Sequence, residues 1–108
     1  MRIGAAGFDW DLGNWPKCGK HGLSQADIES LFEAEPAVYP DVAHSHDEQR
    51  MLAIGTVSTG RYVLVAFTLR QTDAGTQIRP VSARYMHKKE IAHYEQQRQT
   101  QAAPDADQ

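Results

Sequence analysis

At 108 residues the chain is long enough for one domain with a modest core. Its formal net charge of −3 excludes the bulk attraction to nucleic acid that a strongly basic chain would have, and no apolar run approaches a bilayer span. The single cysteine, Cys18, can close no internal disulfide, and Met1 to Gly7 is too short an apolar stretch for a secretory signal. These features predict a cytoplasmic protein, with Cys18 an ordinary small residue beside a turn.

Residues 1–7 are expected to be flexible, residues 8–98 to form the domain, and residues 99–108, with no apolar anchor beyond alanine, to form a disordered tail. Phe8-Asp9-Trp10-Asp11 alternates aromatic and acid, the pattern of a short edge strand. Gly13-Asn14 and Trp15-Pro16 then interrupt regular structure. Ser24-Gln25-Ala26-Asp27 reads as a capping box that starts a helix, with Leu23 and Ile28 at the hydrophobic-staple positions and Ile28, Leu31 and Phe32 as the buried stripe. Pro36 ends it. Residues 37–42 suggest a short strand that Pro40 confines to a sheet edge, and His44 to Asp47 a loop. Gln49 to Val57 reads as a strand, turned at Thr59-Gly60 into the long apolar run Tyr62 to Phe67. A third strand over 77–83 contains Pro80, which predicts an edge or a bulge. A second helix is expected from about His87 to Gln97, anchored by Ile91 and Tyr94. The fold class is therefore α+β, an antiparallel sheet of about four strands with two helices on one face.

Two-residue turns at Thr59-Gly60 and Ala74-Gly75 would set the register. One face would then carry Leu52, Ile54, Val63, Val65, Phe67, Leu69 and Ile78, to be covered by the helices. The other would carry Ala53, Gly55, Leu64, Ala66, Thr68, Arg70, Arg79, Val81 and Ala83, a shallow groove of small residues. Arg70 would face Arg79 directly, a repulsive pair that invites an anion between them. A one-residue slip in either hairpin would exchange parts of these sets.

Charge is unevenly spread. Residues 9–48 hold nine acids against Lys17 and Lys20, while residues 50–98 hold eight bases against three acids. The asymmetry predicts one anionic and one cationic partner surface, unless the two halves interdigitate and cancel.

No metal or cofactor motif stands out: His44-x-His46 lacks a third ligand at a recognisable spacing, and phosphate-loop and dinucleotide fingerprints are absent. The remaining groups suit a phosphodiester. Arg70 and Arg79 can bind phosphate oxygens and stabilise a pentavalent transition state. Lys20 and His21 offer a cation and a proton-transferring group, with Glu48 the competing base beside Arg50. The ordinary readings are a helix-entry hydrogen bond for His21, an ion pair for Glu48 and Arg50, and a turn-flanking charge for Arg61.

Several ordered blocks resemble the BrnT family of type II toxin–antitoxin systems over residues 8–95. They are Phe8-Asp9-Trp10-Asp11, Lys17 to Ser24, His44-Ser45-x-x-Glu48-x-Arg50 leading to Ile54-Gly55, Gly60-Arg61, Phe67 to Arg70, and Ile78 to Arg84. Leu12 to Gly19 departs from the family pattern, being shorter and differently filled. The resemblance implies a RelE-like fold, a bacterial ribonuclease that arrests translation, and a BrnA-like antitoxin that neutralises it. It also implies that the protein reaches DNA only through the antitoxin complex. As motif positions it carries over Lys20, His21, Glu48, Arg70 and Arg79 for catalysis, and Arg50, Arg61 and Arg84 for substrate binding. The competing expectation is a non-enzymatic toxin of the same fold that poisons a protein target such as a topoisomerase.

Overall fold

The computed structural model describes residues 4–44 and 48–102. Five strands form one mixed sheet: β1 (Gly7–Phe8), β2 (Ala37–Pro40), β3 (Met51–Thr56), β4 (Tyr62–Thr72) and β5 (Gly75–Tyr85), in the spatial order β1-β5-β4-β3-β2. The four expected strands become five, and the sheet is not wholly antiparallel, because β1 pairs parallel to β5. The opening strand is also shorter than the aromatic–acid alternation suggests. Beyond Phe8 only the Asp9 amide still reaches the ladder, bonding the Ile78 carbonyl at 2.8 Å. Pro80 follows on β5 without an N–H to continue the pairing.

Helix α1 (Gln25–Glu33) starts as its sequence dictates. Ser24 accepts from the Asp27 amide and the Asp27 carboxylate accepts from the Ser24 amide, a reciprocal cap whose Ser side is worth about 1 kcal/mol. Leu23 and Ile28 are both buried, as a staple requires. Leu31 packs close to the sheet because Gly55 has no side chain: a Cβ there would stand 3.1 Å from Leu31 Cγ. Phe32 joins the layers, its ring 5.0 Å from Phe67 on β4 and 5.8 Å from Phe8 on β1. Val63, Val65, Phe67, Ala53, Ile78 and Ala83 complete the core with Cys18.

Both hairpins turn one residue away from the expected place, with different consequences. The β3–β4 connection closes through Val57 and Arg61 around Ser58-Thr59-Gly60, with Gly60 in the left-handed region at φ 84°. That three-residue loop with a terminal left-handed glycine is a recognised hairpin form. Compared with a two-residue turn it shifts β3 by one position, so Ala53 and Gly55 lie with Val65 and Val63 on the core face. Leu52 and Ile54 move to the other face. In the β4–β5 hairpin the turn residues are Asp73-Ala74, not Ala74-Gly75, and Thr72 pairs with Gly75. This moves both strands together and preserves which residues share a face. Arg70 therefore stays on the same face as Arg79 but opposes Gln77, while Arg79 opposes Thr68. The repulsive facing pair does not exist. The predicted irregularity at Pro80 does: Phe67 pairs with Pro80 and Ala66 with Ser82, leaving Val81 as the extra residue of a bulge. Past that bulge Ala83 turns to the core, against the expectation that placed it on the open face.

Helix α2 (Lys88–Ala102) is longer than expected and runs into the segment predicted to be disordered, just as β1 begins inside the segment predicted to be flexible. Residues 1–3 and 103–108, the remainder of those two segments, lie outside the described residues, as do Ser45, His46 and Asp47. The two helices do not share a face. Tyr94 stacks edge-on against Tyr62, with centroids 5.7 Å apart, and Glu90 bonds Arg84. Tyr62 and Arg84 adjoin the core residues Val63 and Ala83, so alternation points them to the side away from α1. Helix α2 covers that side at the Tyr62 end only. The end carrying Arg70 and Arg79 is left open. No helix among the described residues is long and apolar enough to cross a membrane.

Candidate active site

The open end of the sheet forms a groove of about 380 Å³ lined by His44, Glu48, Arg50, Thr68, Arg70, Arg79 and Val81. Strand alternation brings Thr68 and Arg70 of β4 to the same side as Arg79 of β5. The bulge at Val81 lies two residues past Arg79, a common device for aiming a side chain at a sheet surface. Glu48 and Arg50 come from the segment that leads into β3, and His44 from the short 3-10 turn Val42–His44.

Arg79 is fixed in place. Its Nη1 donates to Asp9 Oδ2 at 3.2 Å and Asp11 Oδ2 at 3.0 Å, and its Nη2 donates to Asp11 Oδ1 at 3.0 Å. Only 16% of its side chain is exposed. The Arg79 guanidinium, helped by the Gly13 amide, holds the Asp11 carboxyl below its ordinary range, and Asp11 in turn pushes Arg79 further up. Gly13 makes room for this contact, since a Cβ there would meet Arg79 Nη2 at 2.9 Å. Asn14 ties the whole loop to β5. Its Nδ2 donates to the Asp9 and Pro80 carbonyls at 2.9 and 2.8 Å, and its Oδ1 accepts from the Asp11 amide at 2.8 Å. It is 2% exposed, and the edge-on contact of Trp10 with Trp15 closes the same loop.

Arg70 is held loosely. Its Nε and Nη2 lie 3.0 and 3.2 Å from the two Glu48 oxygens, but 47% and 42% of the two side chains are exposed. A pair so open to water contributes about 0–1 kcal/mol, so an incoming anion can displace Glu48 at little cost. Arg50 approaches Asp41 at 3.5 Å. The three groove arginines are thus met by Asp9, Asp11, Asp41 and Glu48, and the groove is charge-compensated, not the uncovered basic surface that the sequence halves suggest. The acidic first half folds onto the basic second half. Between the arginines lies Thr68, 5% exposed, whose Oγ1 has no hydrogen-bond partner among the described residues. A buried hydroxyl without a partner costs about 1–3 kcal/mol.

Of the expected catalytic residues, Arg70, Arg79 and Glu48 meet in the groove. Lys20 and His21 are exposed on the turn after the 3-10 segment Lys17–Gly19 and are not among its lining residues. Of the expected substrate-binding residues only Arg50 lines it. Arg61 lies 3.6 Å above the Tyr85 ring. Arg84 is paired with Glu90 at 2.7 Å, where it fastens α2. Glu48 and Arg50, expected to pair with each other, instead take Arg70 and Asp41 as partners. Cys18 is fully buried and burial pushes its thiol up, which fits a packing role. Asp9, Asp11, Asn14, Asp41, His44 and Thr68 are site residues that sequence reasoning misses. Their sequence signals are membership of motif blocks, for Asp9, Asp11, His44 and Thr68, and the placing of Thr68 on the open sheet face. Among the described residues no cluster of three His, Cys, Asp or Glu side chains is placed to hold a metal ion.

A family model described as the ribonuclease toxin BrnT of type II toxin–antitoxin systems matches residues 10–90. The chain belongs to the BrnT family. The match spans Asp11, Asn14 and every groove-lining residue, and its family description is that of a ribonuclease with an antitoxin partner. No curated protein matches the chain closely enough to serve as a relative.

Proposed function

We propose that this BrnT-family chain is a metal-independent endoribonuclease of RelE-like fold. It arrests translation by cutting RNA in the cytoplasm and is neutralised by a BrnA-like antitoxin. The observation that carries the reading is the placement of Arg70, Thr68 and Arg79 on one open sheet face, with a loosely held arginine and a fixed one side by side.

A phosphate entering the groove competes with Glu48 for Arg70. The ribose 2′-hydroxyl attacks the adjacent phosphorus and negative charge grows on the non-bridging oxygens. Arg70 meets that charge with two N–H groups in a fixed fork. Arg79, its charge already balanced by Asp9 and Asp11, is a fixed wall of the groove. The products are a 2′,3′-cyclic phosphate and a 5′-hydroxyl end.

Arg70→Ala is expected to slow cleavage by roughly 10²–10³-fold, the usual loss when one transition-state donor is removed. Its melting temperature should stay near that of the wild type, because the Glu48 pair is exposed. Arg70→Lys should recover only part of the rate, since an ammonium lacks the planar fork. An Arg70→Ala protein that cuts RNA at the wild-type rate would remove this groove from the account.

A further inference from the structure

We infer that His44 is the general base that takes the proton from the ribose 2′-hydroxyl, held in position by Asp41. The inference rests on the ribonuclease reading above. His44 lines the groove, and its Nδ1 lies 3.1 Å from both oxygens of Asp41. An ionised carboxylate only accepts hydrogen bonds, so Nδ1 carries the hydrogen and the lone pair sits on Nε2. The His44 side chain is 61% exposed and Asp41 only 12%, an open proton acceptor backed by an anchored carboxylate.

Asp41 is anchored from two directions. Its amide donates to the Arg50 carbonyl at 2.8 Å, and its Oδ2 lies 3.5 Å from Arg50 Nε. The His44 amide closes the turn on the Asp41 carbonyl at 3.2 Å. The pair is thereby fastened to the start of β3, the element that also delivers Glu48 and Arg50 to the groove. Besides Asp41, the charged groups facing His44 there are Glu48, Arg50, Arg70 and Arg79. Glu48, the other candidate base, pairs with Arg70 until a phosphate takes its place, whereas His44 keeps its Asp41 partner throughout.

In the step assigned to His44, Nε2 takes the hydrogen of the 2′-hydroxyl as the O2′–P bond forms. The P–O5′ bond breaks, the leaving 5′-oxygen takes a proton from water, and Asp41 stabilises the imidazolium until it returns its proton to solvent.

The test compares wild type, His44→Ala, His44→Gln and Asp41→Asn in the full chain under single-turnover conditions, on free RNA and on ribosome-bound message. Both His44 variants should slow cleavage by roughly 10²–10⁴-fold, the range of a positioned general base. Their affinity for a non-cleavable 2′-deoxy analogue and their melting temperatures should not change. Added imidazole should restore part of the His44→Ala rate, which a merely structural histidine would not allow. Asp41→Asn should slow cleavage less than loss of His44. Wild-type rates in His44→Gln would overturn the inference while leaving the ribonuclease reading intact. Rescue of His44→Ala by a 5′-thio leaving group, which needs no acid, would make His44 the acid and overturn its role as base. Wild-type protein that cuts neither substrate would overturn both.

Discussion

Asn14 fills three side-chain hydrogen-bonding positions in a space closed to water, joining the Asp9 and Pro80 carbonyls and the Asp11 amide. Replacing it with alanine strands those three backbone groups, each costing about 1–3 kcal/mol if buried and unpaired. With partial relaxation the expected loss is about 2–4 kcal/mol, and in a domain of this size the melting temperature should fall by roughly 10 °C or more. Asn14→Asp should fare no better, because a carboxylate cannot donate to two carbonyls. Thermal unfolding followed by circular dichroism measures this; an Asn14→Ala midpoint equal to wild type would show that the loop does not depend on Asn14. At this scale the sequence was least informative. Gly13-Asn14 read only as a break in regular structure, because nothing local reveals that the break folds back onto a bulge 66 residues away.

Among the elements, α1 was the most legible in the sequence. Its capping box, staple and apolar stripe are all written within ten consecutive residues or so, and local signals of that kind survive folding intact. The strands were legible as strands but not in register. A single left-handed glycine at position 60 lengthens one loop and exchanges the two faces of β3. The other misplaced turn moved in a way that kept Arg70 and Arg79 on one face. The groove therefore exists without the facing arginines that the turn residues predict.

Helix α2 is held to the sheet by few contacts, chiefly Tyr94 on Tyr62 and Glu90 on Arg84. Arg84, with the His87 amide, pulls the Glu90 carboxyl down from 4.5 to about 2. A carboxyl depressed in the folded state stabilises the fold above its unfolded value and loses that contribution as pH falls through its folded value. Between about pH 4.5 and 2 the start of α2 should therefore loosen, and Glu90→Gln should remove that part of the acid dependence. Wild type and variant should differ at pH 7 and converge toward pH 2, as read by the ellipticity and hydrogen exchange of residues 88–102. Equal pH dependence in the two proteins would place the acid-sensitive contact elsewhere.

Across the whole molecule, the charge asymmetry of the sequence is spent internally. Asp9, Asp11, Asp41 and Glu48 from the first half meet Arg79, Arg50 and Arg70 from the second, so a fold with a net charge of −3 keeps a groove that can exchange its own carboxylates for a phosphate. Sequence halves could not show this, since the pairing is made by tertiary contact. The proposed chemistry is cleavage of RNA in this groove by internal attack of the 2′-hydroxyl. Its most direct test is to incubate purified full-length protein with end-labelled RNA, free and ribosome-bound, in excess chelator, and to identify the termini by mass spectrometry. The fragments should end in 2′,3′-cyclic phosphate with 5′-hydroxyl partners. Cleavage only with added divalent metal, or fragments ending in 3′-hydroxyl, would contradict it.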